Sequence, residues 1–199
     1  MNAPAERLID LVRSQGLIRP SDLVPLGISR VSLTRAVRRG QLQRIGRGLY
    51  GLPGREVSAQ GSLAEVALRV PKGIVCLLSA LRFHGLTTQA PFEVWLAIEN
   101  KATRPKLDYP PLRVVRFSGA AFTEGVEAHI VDGVTVRVTG VAKTVADCFK
   151  YRNKIGLDVA LEALRAAWHE KRMTSDDIWR YAKACRVANV MRPYLESLA

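Results

Sequence analysis

The sequence has few cysteines and no long apolar run, and these shortages exclude several classes of protein. Cys76, Cys148 and Cys185 lie far apart and never in CxxC spacing, which excludes a disulfide framework or a zinc finger and suits a reducing cytoplasm. No apolar run approaches the roughly 18 residues that a membrane span needs. The first ten residues lack the pattern of a signal peptide. We therefore expect a cytoplasmic globular protein, with one medium domain or two small ones in its 199 residues.

Acidic residues are also scarce, most of all in the first quarter of the chain. The whole sequence has 30 Lys and Arg against 18 Asp and Glu, a formal net charge of +12. Residues 1–55 contain ten Arg, no Lys and three acids, and residues 30–55 contain seven Arg and no acid. Because a merely solvated surface usually mixes both signs, this excess predicts a polyanionic partner. Arginine is the side chain suited to forked contacts with phosphates and guanine.

Local signals in this basic quarter predict a helix-turn-helix. The apolar positions in Ala5–Ser14 form the stripe of a short amphipathic helix, and Ser21 is a candidate N-cap for a second helix that Pro25 ends. Ser29 is the candidate cap of a third helix over Arg30–Arg39. A tight turn containing glycine joins the second helix to the third, which is typical of a helix-turn-helix.

The third helix has an apolar face and a basic face. Leu33, Ala36 and Val37 fall together at 100° per residue and are expected to pack on the first two helices. The opposite face is predicted to read base edges in the major groove. Residues 41–52 follow as a β-hairpin with basic residues near its tip, a wing that is expected to lie along a phosphate backbone or in a minor groove. The predicted DNA-binding residues are Ser29, Arg30, Val31, Ser32, Thr34, Arg35, Arg38, Arg39, Arg44 and Arg47.

The rest of the chain predicts a mixed α+β domain. A break near residues 53–61 separates a winged helix-turn-helix domain, residues 1–55, from this second domain, residues 60–199. Its first elements are helices over 62–70 and over Ile74–His84, the second of which His84 is expected to cap. The remaining predicted elements are strands over 94–98 and 113–117, a hairpin around Asp132-Gly133, and helices over 141–151, 157–171, 174–185 and 187–198.

The chain resembles the AbiEi family, the antitoxins of type IV (abortive-infection) toxin–antitoxin systems. The resemblance rests on the order of the elements and on the segments LLSALRFHGLTTQAP, VWLAI and VTGVAKTVADCFKYRNKIGLDVALEALRAA. It covers nearly the whole chain, through modest motifs. It implies an N-terminal winged helix that binds inverted repeats upstream of its own operon and represses transcription, with two protomers per operator. It also implies a C-terminal domain that counteracts a nucleotidyltransferase-like toxin without forming a stable complex with it.

The sequence predicts no catalytic centre. Glu99-Asn100-Lys101 has the (D/E)xK spacing of metal-dependent nucleases, but such a site needs a second carboxylate, and Glu93 at the start of the same strand is poorly placed for that role. The three histidines show no metal-ligand spacing, and neither a nucleophile elbow nor a GxxxxGK[ST] segment occurs. We therefore expect no enzyme activity, no metal and no cofactor.

A basic cluster in the second domain has two interpretations. Lys143, Lys150, Arg152 and Lys154 gather around one predicted helix. They either complement the helix dipole or form an antitoxin surface facing a toxin, its RNA substrate or DNA beside the operator. Lys143 and Asp147, four residues apart, predict an ion pair on the helix surface.

Three functions follow from these observations. The first is a DNA-binding autorepressor with an antitoxin domain. The second is a winged-helix regulator whose second domain serves as an effector or dimerisation module. The third is a nuclease that depends on Glu99 and carries a DNA-binding domain.

Overall fold

The computed structural model describes residues 3–46, 48–54 and 60–198. Contacts between Cα atoms divide the chain into unit 1, residues 1–69 with 130–135, and unit 2, residues 70–129 with 136–199. The fold is α+β with a helix-turn-helix-like region at the N-terminus, as the sequence predicted. The division groups the helix Gly61–Arg69 with unit 1, in which the Arg19 guanidinium donates a hydrogen bond to the backbone oxygen of Leu68. Whether residues 1–55 and residues 60–199 fold as separate domains, as the sequence predicts, stays a prediction.

Unit 1 opens with three short helices and a hairpin. Its second helix is a 3-10 helix, and the prediction that Ser21 caps it was wrong, because Ser21 lies inside it and Arg19 is the cap residue. Pro20 starts this helix two residues earlier than a cap at Ser21 implies, since the fixed φ of proline suits a first helical position. The elements are α1 (Ala3–Gln15), the 3-10 helix (Pro20–Leu26), α2 (Arg30–Arg38), β1 (Gln43–Gly46), β2 (Leu49–Gly51) and α3 (Gly61–Arg69).

A small apolar core holds the helices of unit 1 together. Gly27 makes the turn before α2 possible because it adopts a left-handed conformation, with φ at 65°, that few other residues tolerate. Ile28, next in the chain, is buried. The buried members of this core are Leu8, Val12, Ile18, Leu23, Ile28, Leu33, Ala36 and Leu42.

Five strands, β3 (Ile74–Val75), β4 (Val94–Glu99), β5 (Leu112–Phe117), β6 (Val126–Val131) and β7 (Val134–Thr139), form one sheet with the order β5-β4-β3-β7-β6. The sheet belongs to unit 2 except for residues 130–135, which the division assigns to unit 1. Strands β4 and β5 run parallel to each other. Strand β3 runs antiparallel to β4 and parallel to β7. The turn Asp132-Gly133 joins β6 to β7 with φ values of 51° and 79°, as an Asp-Gly hairpin requires.

The helix predicted over Ile74–His84 is in fact a short strand followed by a helix. Ile74 and Val75 pair with Ala97 and Leu96 of β4, and Val75 also pairs with Val138 of β7. A short apolar run is compatible with either a buried helix or a buried strand, and the two neighbouring strands decide this case. The helix α4 begins at Leu77, and His84 is its C-cap residue, as predicted.

One helix forms the centre of unit 2. Helix α6 (Val141–Lys150) is buried without interruption from Ala142 to Phe149 and packs against α4, α8 and α9. Thr174 caps α9 in a capping box with Asp177. The helices of unit 2 are α4 (Leu77–Phe83), α5 (Ala120–Thr123), α6, α7 (Arg152–Ile155), α8 (Leu157–His169), α9 (Ser175–Ala184) and α10 (Ala188–Glu196).

Candidate nucleic-acid interface

Helix α2 is held by its apolar side, so its opposite side faces outward. Leu33 and Ala36 are buried in the core of unit 1 and Val37 is partly buried against it. Ser29 fixes the start of the helix, because its hydroxyl accepts a hydrogen bond from the backbone N–H of Ser32 at 3.2 Å. The predicted cap and the predicted inner face of this helix are therefore both confirmed.

The outward side of α2 carries four arginines, a threonine and a valine. Val31 is 57% exposed on this side. Thr34 donates its hydroxyl hydrogen to the backbone oxygen of Arg30 at 3.2 Å, so its methyl group is free for apolar contact. The exposed residues on this side are Arg30, Val31, Thr34, Arg35, Arg38 and Arg39, while Ser32 is partly buried.

These arginines have no acidic partner in the part of the chain that the structure describes. No carboxylate there forms an ion pair with Arg30, Arg35, Arg38 or Arg39. Arg13, by contrast, pairs with Asp10 at 3.3 Å. Like charges placed close together on one helix repel one another, and a polyanion relieves that repulsion.

Arg19 is a basic residue that serves the fold instead. Its Nη2 lies 3.0 Å from Asp22 Oδ1, and its Nη1 donates to the Leu68 carbonyl. Burial alone raises the pKa of Asp22, but hydrogen bonds from the side chain and backbone of Arg19 outweigh it and hold this pKa below its ordinary value. Arg19 therefore counts toward the basic charge of residues 1–55, but its guanidinium is bound to Asp22 and Leu68 within the fold.

The hairpin that follows α2 is anchored to the start of unit 1. Tyr50 of β2 exchanges two backbone hydrogen bonds with Ile18, at 2.9 and 3.0 Å, a pairing that the sequence did not reveal. Strand β1 pairs Arg44 with Tyr50, and the register shifts before Gly46. The exposed side chain of Arg44 donates from Nε to the Gly46 carbonyl at 3.2 Å. Arg47, the second predicted basic residue of this hairpin, lies outside the described residues.

The predicted antitoxin surface loses one of its four members. Lys143 does not lie on the surface: its side chain is fully buried and its Nζ contacts both carboxylate oxygens of Asp147 at 2.6 Å. The expected ion pair therefore exists, but inside unit 2, because α6 is covered by three other helices. Lys150 and Lys154 are exposed, and Arg152 is partly buried with its Nη1 donating to the Phe149 carbonyl at 2.9 Å.

The candidate nuclease residues are kept apart by the strand that carries them. Glu93 precedes β4 and lies 3.9 Å from Arg113, while Glu99 is the exposed last residue of the same strand. The Nε2–H of His84 donates to the Thr139 carbonyl oxygen at 2.8 Å, and burial lowers the pKa of His84. In residues 3–46, 48–54 and 60–198, no three His, Cys, Asp or Glu side chains converge as metal ligands.

The region that carries the basic helix α2 matches a known protein family. Residues 6–53, about a quarter of the chain, match the AbiEi_4 family, described as "Transcriptional regulator, AbiEi antitoxin". This match confirms the resemblance for the region that contains α1, α2 and the hairpin. No curated protein matches the sequence.

The fold has a counterpart among solved structures. The chain superposes on a crystal structure titled "Crystal structure of RV2827C protein from Mycobacterium tuberculosis" with a TM-score of 0.54 and 15% sequence identity. The similarity covers 98% of this chain and 82% of that one. At this identity the likeness concerns the fold alone. Separately, none of the helices in the described ranges combines the length and apolarity needed to cross a bilayer.

Proposed function

We propose, from the match of residues 6–53 to AbiEi antitoxin regulators, that this chain is a DNA-binding autorepressor of a type IV toxin–antitoxin operon. The single observation that supports operator binding best is the face of α2, where exposed arginines without described acidic partners surround Val31. A helix of this kind fits the major groove, where arginine forks to guanine and an aliphatic side chain contacts the thymine methyl.

In this proposal α2 is the recognition helix of a winged helix-turn-helix, and β1–β2 is its wing. Arg35, Arg38 and Val31 read bases, and Arg30 contacts a base or a phosphate at the start of the helix. Arg44 and Arg47 contact the phosphate backbone beside the helix, and contacts of this kind set register and affinity but carry no sequence information. Thr34 lies on the same base-reading face, and Ser29, Ser32 and Arg39 complete the proposed contact set at the ends and flank of the helix.

Binding to upstream DNA of the chain's own gene tests this part of the proposal. Fluorescence anisotropy over a salt series compares that duplex with a random duplex, for the parent protein and for Arg35→Ala. The parent is expected to prefer its own promoter, and loss of a bidentate guanine contact in Arg35→Ala costs about 1–3 kcal/mol of discrimination. Arg13→Ala is the matched control, since Arg13 is also exposed but is paired with Asp10. Equal affinity of the parent for both duplexes would contradict sequence-specific repression.

The proposed toxin antagonism belongs to the region after residue 60. Its support is the resemblance of the α4, β4 and α6–α8 segments to the antitoxin family, including exposed Lys150 and Lys154. We propose that this region counteracts a nucleotidyltransferase-like toxin without a stable complex, in the cytoplasm, while two protomers bind one operator. No cofactor, metal or enzyme activity forms part of this proposal.

Co-expression distinguishes the antitoxin from a plain regulator. Cells that express the neighbouring gene are expected to grow when the full chain is supplied, including as the Arg35→Ala variant placed under an unrelated promoter. Growth arrest despite normal protein levels would leave a regulator whose second unit has another role. Cleavage of DNA in the presence of Mg²⁺ that Glu99→Ala abolishes would instead establish the nuclease.

A further inference from the structure

Unit 2 contains a cationic cavity at the edge of its sheet. The cavity has a volume of about 300 Å³ and opens beside β5, which is one of the two edge strands of the sheet. Its lining comes from three separate segments, namely the loop after β4, strand β5, and the junction of α6 with α7. The lining residues are Arg104, Val114, Val115, Arg116, Tyr151 and Lys154, of which three are cationic and none is acidic.

Arg116 is fixed at this cavity by backbone carbonyls. Its Nη1 donates to the carbonyl oxygens of Glu99 at 3.3 Å and Ala102 at 2.9 Å, and also to that of Asn100. Carbonyl groups orient the guanidinium but do not neutralise it. Because a guanidinium has five N–H donors, the nitrogens other than Nη1 retain donors for a ligand.

Tyr151 forms a rigid apolar side of the same cavity. Its hydroxyl donates to the backbone oxygen of Arg116 at 2.8 Å, and its ring lies 5.7 Å from the ring of Phe117. The Lys154 ammonium lies 5.5 Å from the centre of the Tyr151 ring, a cation–π distance. Burial raises the pKa of Tyr151 to about 12, so the phenol stays protonated and brings no negative charge.

The positive charges of the three cavity cations are not neutralised by a carboxylate of the described residues. Arg104, Arg116 and Lys154 are exposed, and no carboxylate in the ranges 3–46, 48–54 and 60–198 lies within ion-pair distance of any of them. Other arginines of unit 2 do form ion pairs: Arg113 pairs with Glu93, and Arg172 pairs with Glu170. An anion in the cavity would relieve the repulsion among the three cations.

We propose that this cavity binds the phosphate groups of a nucleotide, either free or at the end of a nucleic-acid strand. Arg104, Arg116 and Lys154 supply charge-assisted hydrogen bonds to phosphate oxygens. Val114 and the ring of Tyr151 supply the apolar wall that a base needs and that inorganic phosphate would not use. The site is separate from the residues proposed to contact the operator, so it stands independently of operator binding.

Calorimetric titration of the full chain at 150 mM salt tests the site with four probes. A nucleoside triphosphate is expected to bind, its parent nucleoside is not, and a 5′-phosphorylated oligonucleotide is expected to bind better than its 5′-hydroxyl form. Arg104→Gln and Lys154→Gln are each expected to weaken binding about tenfold, the scale of one charge-assisted hydrogen bond. Arg165→Gln is the matched control, because Arg165 is an exposed arginine of α8 outside the cavity.

The outcomes separate the proposal from general attraction to a basic protein. Tighter binding of the triphosphate than of the phosphorylated oligonucleotide assigns the site to a free nucleotide, and the reverse order assigns it to a strand end. Equal weakening by Arg165→Gln and Arg104→Gln overturns the proposal, as does the absence of triphosphate binding at millimolar concentration. Far-ultraviolet circular dichroism and thermal melting of each variant establish that it is folded. The affinity of the same variants for the upstream DNA is expected to be unchanged. A failure of the cavity proposal can therefore be told apart from a failure of the proposed operator binding.

Discussion

Lys143 and Asp147 form a fully buried ion pair one turn apart on α6, with Lys143 Nζ at 2.6 Å from both carboxylate oxygens. The same carboxylate accepts a hydrogen bond from the Cys185 thiol at 3.2 Å, and the ammonium lies 4.7 Å from the centre of the Phe117 ring. Burial raises the pKa of Asp147 more than the adjacent ammonium lowers it. Each charge therefore depends on the other, since neither has solvent to replace its partner.

Removing one member of this pair is expected to destabilise the protein strongly. Lys143→Met leaves the Asp147 carboxylate buried without its cation, which costs about 3–5 kcal/mol of unfolding free energy in a guanidinium titration. The double variant Lys143→Met/Asp147→Leu is expected to regain most of that loss, because apolar residues replace both charges. Arg13→Met is the control, an exposed pair with Asp10 whose loss costs less than about 1 kcal/mol. A double variant as unstable as the single one would show that the pair itself is not the cause.

Gly125 is expected to tolerate no side chain. It has a φ of 65°, and a Cβ there would lie 2.6 Å from the Tyr181 ring and 2.8 Å from Lys143 Cβ. Gly27, whose φ is also 65°, has nothing within 4 Å of an added Cβ and serves as the control. Both alanine variants pay a backbone cost of about 1 kcal/mol, and Gly125→Ala loses about 1–3 kcal/mol more through overpacking. Equal melting temperatures for the two variants would rule out the steric explanation.

The Arg19–Asp22 interaction is expected to make unit 1 sensitive to acid. The folded-state pKa of Asp22 lies below its ordinary value of 3.8, so its contribution is present above that value and lost as the pH falls through the lowered pKa. Asp22→Asn is expected to be about 1 kcal/mol less stable than the parent at pH 7, with a difference that shrinks below about pH 3.8. Urea titrations of both proteins from pH 7 to below pH 3.8 measure this difference in unfolding free energy, and Asp10→Asn is the exposed control. A difference that is constant with pH contradicts the interpretation.

All three cysteines are expected to resist alkylation in the folded protein. Cys76, Cys148 and Cys185 are buried and free, and burial raises the pKa of each thiol, that of Cys185 to about 12. Because the thiolate is the reactive form, iodoacetamide at pH 8 is expected to label none of them natively and all three in denaturant. Mass spectrometry counts the adducts, and rapid labelling of a single cysteine in the native protein would be inconsistent with this burial.

Helix and hairpin arginines are expected to affect DNA binding differently. Arg44→Ala removes a proposed phosphate contact, which reduces the slope of log affinity against log salt by about 0.9 and leaves sequence preference intact. Arg35→Ala is expected to reduce the preference for the upstream duplex. Affinities for upstream and random duplexes at several salt concentrations separate the two effects, and identical behaviour of the two variants would argue against distinct roles.

Local chemistry made much of unit 1 predictable. The cap at Ser29, the inner face of α2 and the hairpin after it follow from capping, helical period and turn residues, which act within a few positions of one another. The prediction for Ser21 failed because Pro20 starts its helix earlier. The pairing of Tyr50 with Ile18 joins residues too distant in the chain for any local pattern to reveal.

The sequence by itself determined the α+β class, the basic helix and the Asp132-Gly133 hairpin, because periodicity, charge runs and turn chemistry are properties of adjacent residues. Tertiary structure alone decided that Ile74 and Val75 form a strand, since both residues pair with β4 and Val75 also pairs with β7. It also decided that Lys143 is buried, because α4, α8 and α9 cover the helix that carries it. Burial depends on which segments meet, and that information lies in the packing of the whole unit.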